Sequence, residues 1–240
     1  MQTWQLWTAG EVLREVKGIE PLLASWEKSI HPAQVRLRVY LERLMSVLKP
    51  LPPVQKGLFL HLEVDVHESD RLLHYYDLEN YLTPLFGRRW LDSSHFVFVS
   101  ATKRVGGGSH FFLGFAKPVE ELGVMDGWGH FSCSAGSGTG EKQWKAGLKA
   151  DLAASKPQLL PPGPVEVHLA WRCSPMRNWV NLWKPTGDAM GPVLGESVQR
   201  GFNPKDDRIV SLGLHLNVDR RAGYSVDVGM WWRPAGVARE

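Results

Sequence analysis

Cysteine is nearly missing from this chain. Among 240 residues only Cys133 and Cys173 carry thiols, and they lie far apart in no C-x-x-C pair. A disulfide framework is therefore excluded, and free thiols in the cytoplasm are the expectation. Long hydrophobic runs are missing as well: apolar stretches are strand-length and broken by His, Glu or Arg, which excludes a transmembrane helix. Met1-Gln-Thr-Trp4 offers neither a charged n-region nor an apolar h-region, so no secretory signal is expected. The nine histidines form no His-Glu-x-x-His or Cys/His zinc spacing. No Ser or Cys occupies a Gly-x-Ser-x-Gly setting, which argues against acyl transfer. The run Gly136–Gly140 lacks the context of a phosphate loop and reads as a flexible turn. Neither sign of charge dominates: 28 Lys and Arg against 25 Asp and Glu give +3, which permits nucleic-acid binding without demanding it.

What is present is a repeated order of elements. Residues 31–118 and 141–234 each read as helix, apolar strand, polar motif, strand, glycine turn, strand. The first copy has a helix over Pro32–Leu48, with a stripe of Val35, Val39, Leu41, Leu44, Met45 and Leu48, and strands at Leu58–Val64, Phe96–Ser100 and Phe111–Ala116. The second has a helix over Lys142–Ser155, carrying Trp144, Leu148 and Leu152 on one side and Lys142, Lys145, Lys149 and Lys156 on the other. Its strands are Val165–Trp171, Ile209–Leu212 and Ser225–Trp232. Prolines follow both helices, and Gly106–Gly108 and Gly223 mark the hairpin turns. The first ~30 residues show helical patterns at Ala9–Ile19 and Pro21–Trp26 with no second counterpart, and Val119–Gly140 reads as the joining segment. A period of roughly 110 residues is too long for a solenoid and suits a duplicated domain packed about a two-fold-like axis. The expected fold is α+β, a helix-plus-mixed-sheet unit duplicated in tandem as an intramolecular pseudo-dimer, with domains at 1–122 and 123–240. The eleven tryptophans are scattered and read as core.

Carboxylates gather at equivalent places in the two copies. Asp77 and Glu79, with Asp92 further on, belong to the first, and Asp188, Asp206 and Asp207 to the second. Hard cations such as Mg²⁺ need oxygen ligands, and they assist phosphodiester cleavage by activating water and stabilising charge on the attacking and leaving oxygens. Each acid also has a plainer reading. Asp77 and Glu79 suit a helix N-terminus, and Asp188 and Asp206-Asp207 suit turns. Basic residues follow the motifs: Arg71, Arg88, Arg89, Lys103, Arg104, Arg177, Lys184, Lys205 and Arg208. A solvated face or a phosphate-binding surface would each account for them. His61 and His168 fall at matching strand positions, which indicates a repeated packing or hydrogen-bonding role.

These motifs resemble the RusA-like Holliday junction resolvases, whose pattern is a helix and strand, Asp-x-Asp-Asn-x-x-Lys-Pro, an Asp-Ala-Leu-like segment, Asp-Asp before a strand, and a final hairpin. Asp77-Leu-Glu-Asn-Tyr-Leu-Thr-Pro84 resembles the first motif, with Glu79 and Thr83 as departures. Asn178-Trp-Val-Asn-Leu-Trp-Lys-Pro185 resembles it again, keeping Asn181, Lys184 and Pro185 but with Asn178 and Val180 where the acids belong. Asp188-Ala-Met190 and Asp206-Asp-Arg-Ile-Val210 resemble the later segments, and Ser93-Ser-His-Phe-Val97 is the first copy's counterpart of the last. The losses are complementary, and neither copy keeps the whole set. The resemblance implies a Mg²⁺- or Mn²⁺-dependent endodeoxyribonuclease acting on branched DNA such as Holliday junctions, in recombination and repair. On that reading Asp77, Glu79, Asp188 and Asp207 are the expected metal ligands, with Asp206 and Lys184 beside them in catalysis. Arg88, Arg89, Lys103, Arg104, Lys184, Lys205 and Arg208 are the expected nucleic-acid contacts. A DNA-binding module that lost its chemistry, or a protein-complex scaffold of the same fold, stands as the alternative.

Overall fold

A computed structural model describes residues 3–53, 57–66, 72–73, 77–87, 90–119, 127–135, 141–197 and 203–236. The backbone is an α+β fold built on one mixed sheet of eight strands. In chain order the elements are β1 (Trp7–Lys17), α1 (Pro32–Leu48), β2 (Leu58–Asp65), α2 (Leu78–Leu82), β3 (Phe96–Arg104), β4 (His110–Pro118), β5 (Gly129–Ser134), α3 (Glu141–Ala154), β6 (Val165–Cys173), α4 (Trp183–Asp188), α5 (Gly191–Leu194), β7 (Ile209–Val218) and β8 (Val226–Pro234). The strand order is β1-β4-β2-β3-β7-β6-β8-β5. On one side of the sheet β2 runs parallel to β3 and antiparallel to β4, and β1 closes the edge antiparallel to β4. On the other side β6 runs parallel to β7 and antiparallel to β8, and β5 closes the edge antiparallel to β8. The antiparallel pair β3–β7, from Phe98 opposite His215 to Thr102 opposite Ser211, joins the two sides.

The long helices start and stop where local chemistry requires. His31 caps α1 by accepting from the Ala33 N–H, and Pro32 occupies the first turn, where a missing N–H costs nothing. At the other end the Arg14 guanidinium, reaching across from β1, donates to the carbonyls of Val47 and Leu48, a cation at the negative end of the helix. Helix α1 buries Leu37, Tyr40, Leu41, Leu44, Met45 and Leu48. Val35 and Val39, expected in the stripe, point to solvent, because turning the helix to bury the larger Leu37 and Tyr40 removes more apolar area from water. From α3, Trp144, Leu148 and Leu152 join the same core, which takes the alternate residues Leu58, Leu60, Leu62 and Val64 of β2 and Val165, Val167, Leu169 and Trp171 of β6. A smaller cluster of Trp4, Leu6, Ala170 and Trp231 forms separately. Among the described residues no helix is long and apolar enough to cross a membrane.

Two expectations about the edges are corrected. Neither 9–19 nor 21–26 forms a helix: Trp7–Lys17 is strand β1, and 21–26 runs as irregular chain between β1 and α1. In β1, Val12 and Val16 are β-branched and Gly10 is a poor helix former, and pairing along all of β4 satisfies backbone groups that a short exposed helix would leave to water. The segment between the halves is not wholly a connection either, since Gly129–Ser134 is strand β5. Six residues alternating between half-buried and exposed sit on the open edge of β8, too short a pattern to stand out from a loop. The glycine run 136–140 lies outside the described residues. Gly106–Gly108 forms the β3–β4 turn with φ of 79°, 89° and 74°, and the Asp65 carboxylate accepts from the N–H groups of Gly106 and Gly108 at 2.9 and 2.8 Å. His61 and His168 are hydrogen-bonded as their matching positions suggested, to Ser100 and His215, each at 2.8 Å.

Strand β1 bulges between Ala9 and Arg14, which brings the Glu11 carbonyl onto Gly114 of β4. A Cβ at Gly114 would run into that carbonyl oxygen and into the Phe59 ring. Gly114→Ala is therefore expected to lower unfolding stability by about 1–3 kcal/mol, read as a lower urea midpoint at unchanged m-value.

Candidate metal and phosphate site

Helix α2 is one and a half turns long, and its start does not use the acid that precedes it. Asp77 stands at the N-cap with φ −73° and ψ 125°, yet its side chain makes no capping hydrogen bond. Its Oδ2 accepts from Asn80 Nδ2 at 3.0 Å and lies 3.3 Å from Lys184 Nζ. Elsewhere capping is real: Asn178 accepts from the Val180 N–H and Asp92 from the Ser94 N–H. The capping reading of Asp77 thus fails, and its carboxylate is turned toward the neighbouring half.

There Lys184, in the first turn of α4, gathers four carboxylates. Its Nζ lies 2.9 Å from Glu79 Oε1, 3.0 Å from Asp188 Oδ1, and 3.3 Å from both Asp77 Oδ2 and Asp206 Oδ2. Asp188 is four residues along, at the end of α4, so one helical turn brings it under the ammonium. Asp206 opens the 3₁₀ turn Asp206–Arg208 that leads into β7. Lys145 of α3 binds the other oxygen of Asp188 at 2.9 Å. Lys103 of β3 is buried and donates to the backbone carbonyl of Asp207.

The electrostatics are those of a crowded, poorly solvated cluster. Glu79 is only 6% exposed, and its pKa is raised by burial first, against the pull of Lys184 and with reinforcement from Asp77. Burial likewise pushes Asp206 up to about 8, with Glu79 and Asp77 adding to the effect and Lys184 opposing it. For Lys184, burial favours the neutral amine, but Glu79, Asp206 and Asp77 outweigh it and hold the ammonium well above its usual range. Burial brings Lys103 down to about 8 despite the attraction of Asp77, Asp207, Glu79 and Asp206. Five carboxylates (77, 79, 188, 206, 207) lie near three amines (103, 145, 184), and burial favours the protonated form of Glu79 and Asp206.

One oxygen each from Asp77, Glu79 and Asp206 lies within 4.8 Å of the other two. An all-carboxylate set fits a hard divalent cation, whose binding would displace the protons that burial favours on Glu79 and Asp206, and a set without sulfur or imidazole fits Zn²⁺ less well. Of the adjacent acids it is therefore Asp206 that joins Asp77 and Glu79, whereas Asp207 contributes its backbone carbonyl to Lys103. Asp188 belongs to the network through the two lysines. Sequence reasoning missed Lys145, which it placed on a solvated helix side. Only the packing of α3 on α4 turns it inward.

The expected nucleic-acid contacts divide. Arg71, Arg88 and Arg89 lie outside the described residues. Lys205 is exposed. Arg104 pairs with Glu63 at 2.7 Å and reaches the Gly108 carbonyl at 3.3 Å. Arg208 is buried, and its guanidinium donates to the carbonyls of Gly163, Leu194 and Pro161, which makes it a clamp inside the fold. Asp92 is spent on its cap and stands apart from the cluster.

A carboxyl group whose pKa rises on folding holds its proton more tightly folded than unfolded, so through this group stability falls as pH rises from about 4 toward 8. Asp206→Asn removes that dependence. The stability of the variant relative to wild type is expected to grow between pH 5 and pH 8 in metal-free urea titrations, and added Mg²⁺ should shrink the difference by stabilising the wild type alone.

No model of a known protein family matches this chain, and no curated protein matches it.

Proposed function

We propose that this protein is a metal-dependent, structure-specific endonuclease acting on branched DNA, a RusA-like unit duplicated in tandem and folded back on itself as a pseudo-dimer. The matching strand pairings on the two sides of β3–β7 support the duplication. One observation carries the function: Asp77 and Glu79 of the first half meet Lys184, Asp188 and Asp206 of the second. The residues each copy lost are the ones the other supplies, so the two halves build one composite site.

In this reading Asp77, Glu79 and Asp206 would hold Mg²⁺ or Mn²⁺. When bound, the ion would polarise the scissile phosphate and lower the pKa of attacking water. The Lys184 ammonium, one-third exposed and positively charged throughout the accessible pH range, neutralises charge developing on a phosphate oxygen. Asp206 Oδ2, 3.3 Å from Lys184 Nζ, would help fix both the ion and the ammonium against the phosphate. Asp188 and Lys145 position Lys184 by fixing the far side of its ion pairs.

A second reading has support too. Lys184 already lies among the carboxylates, so the cluster also serves as an internal ion-pair network joining the halves in a binding module without chemistry.

The deciding experiment is cleavage of four-way junctions and flaps with Mg²⁺ or chelator, comparing wild type with Asp77→Asn, Asp206→Asn and Lys184→Ala. The nuclease reading expects metal-dependent cutting and a loss of roughly 10²–10³-fold in each variant. Identical background from all four proteins sinks it. Junction binding that persists in chelator, with no product under any condition, selects the binding module. A single composite site further predicts one nick per binding event: a cruciform plasmid should accumulate as nicked circle before linear product appears.

A further inference from the structure

At the place in the second half's order of elements where the composite site stands in the first, the carboxylates and lysine are replaced and a cavity opens. Asn178 and Val180 take the places of Asp77 and Glu79, Thr83 that of Lys184, and Ser93 and Ser94 those of Asp206 and Asp207. The contact across the halves survives in neutral form: Ser93 Oγ lies 3.3 Å from Asn178 Oδ1, and Trp179 Nε1 donates to the Ser93 carbonyl at 3.0 Å. Leu216 holds the eighth position of β7, as Lys103 does in β3. The cavity measures about 400 Å³ and is lined by Phe86, Trp90, Met176, Arg177, Trp179 and Leu216, with Asp92 and Asn178 at its polar side. It lies at the opposite end of the β3–β7 pair from the composite site, roughly 20–25 Å away by strand rise.

We propose that this cavity binds one unpaired nucleotide of the DNA engaged at the composite site, with its base against Trp90 and Phe86 and its phosphate on Arg177. The inference rests on the branched-DNA reading above, because a strand crossover offers unpaired or unstacked nucleotides. Trp179 is fully buried, with its indole N–H already bonded, and forms a rigid floor. Trp90 and Phe86 are half-buried, which leaves ring surface for stacking. Among the described residues, Arg177 has no carboxylate at ion-pair distance, and an anion would complete it. The Asp92 carboxylate, held by the N–H and the side chain of Ser94, disfavours a phosphate on that side. A single carboxylate does not make a divalent-cation site. The volume lies within the range of small-ligand pockets. Aromatic surface beside a guanidinium is the chemistry of sequence-tolerant single-strand binding.

The test is fluorescence anisotropy of a labelled short oligothymidine in chelator at low salt, so that binding is read without cleavage. Trp90→Ala and Arg177→Gln are expected to weaken binding about tenfold or more. Met176→Glu, at a side chain 95% exposed on the rim, is expected to weaken it without any route to unfolding. Unchanged affinity in all three variants overturns the proposal, as does a wild type that binds no oligothymidine. Binding of a leucine-rich peptide in its place, lost in Met176→Glu, also overturns it. Intact junction cleavage with oligothymidine affinity untouched by the three variants removes the pocket and leaves the nuclease. Oligothymidine binding lost in the variants while no protein cuts any junction removes the nuclease and leaves the pocket.

Discussion

The antiparallel pairing of β3 with β7 is the constraint on which the rest of the molecule depends. It turns two four-stranded sets into one sheet, and it sets the end of β3 beside the start of β7. That adjacency decides the site. Asp206 enters from the turn before β7, and Lys103 reaches from the end of β3 to the Asp207 carbonyl. Helix α2 brings Asp77 and Glu79 over the same seam. Were β3 and β7 unpaired, the acids of the two halves would lie in different sheets and Lys184 would have no more than Asp188 and Asp206 within its own half.

The seam also explains how so many acids can be held at low exposure. A carboxylate as buried as Glu79 is costly unless paired, and the pairing partner comes from the other half of the chain. The two halves therefore hold each other's charges as well as each other's strands. The cluster holds more carboxylates than amines, and burial favours protons on Glu79 and Asp206 that a cation would displace. At the other end of the same strand pair lies a cavity lined by Phe86, Trp90, Trp179 and Leu216, with Asp92 and Arg177 as its charged residues. In the proposed duplication, one end of the seam kept charge and the other became a cavity.

Much of the architecture was legible in the sequence, because it follows from local periodicity. Pro32–Leu48 was readable from its stripe, its proline and its proline-terminated end. The central strands were readable from Val- and Leu-rich runs, and the Gly106–Gly108 turn from composition alone. The edge strands were not. Trp7–Lys17 carries a helix-like spacing that pairing with β4 overrides, and Gly129–Ser134 is too short and too exposed to announce itself. In the site, the acids and Lys184 were legible as residue types that suit a cation and a phosphate. Lys145 was not, and Arg208 read as a surface base although it is buried and donates to three backbone carbonyls.

The sequence by itself determined the two long helices α1 and α3, the six central strands and the inventory of acids and of Lys184, since each depends on neighbours within a few residues. Only the tertiary structure decided that those acids converge, that Asp206 and not Asp207 turns inward, and that Lys103 is buried at the seam. These are consequences of which strands lie side by side across more than a hundred residues of chain. Hydrogen bonds between backbones set that adjacency, and side-chain spacing carries no record of it.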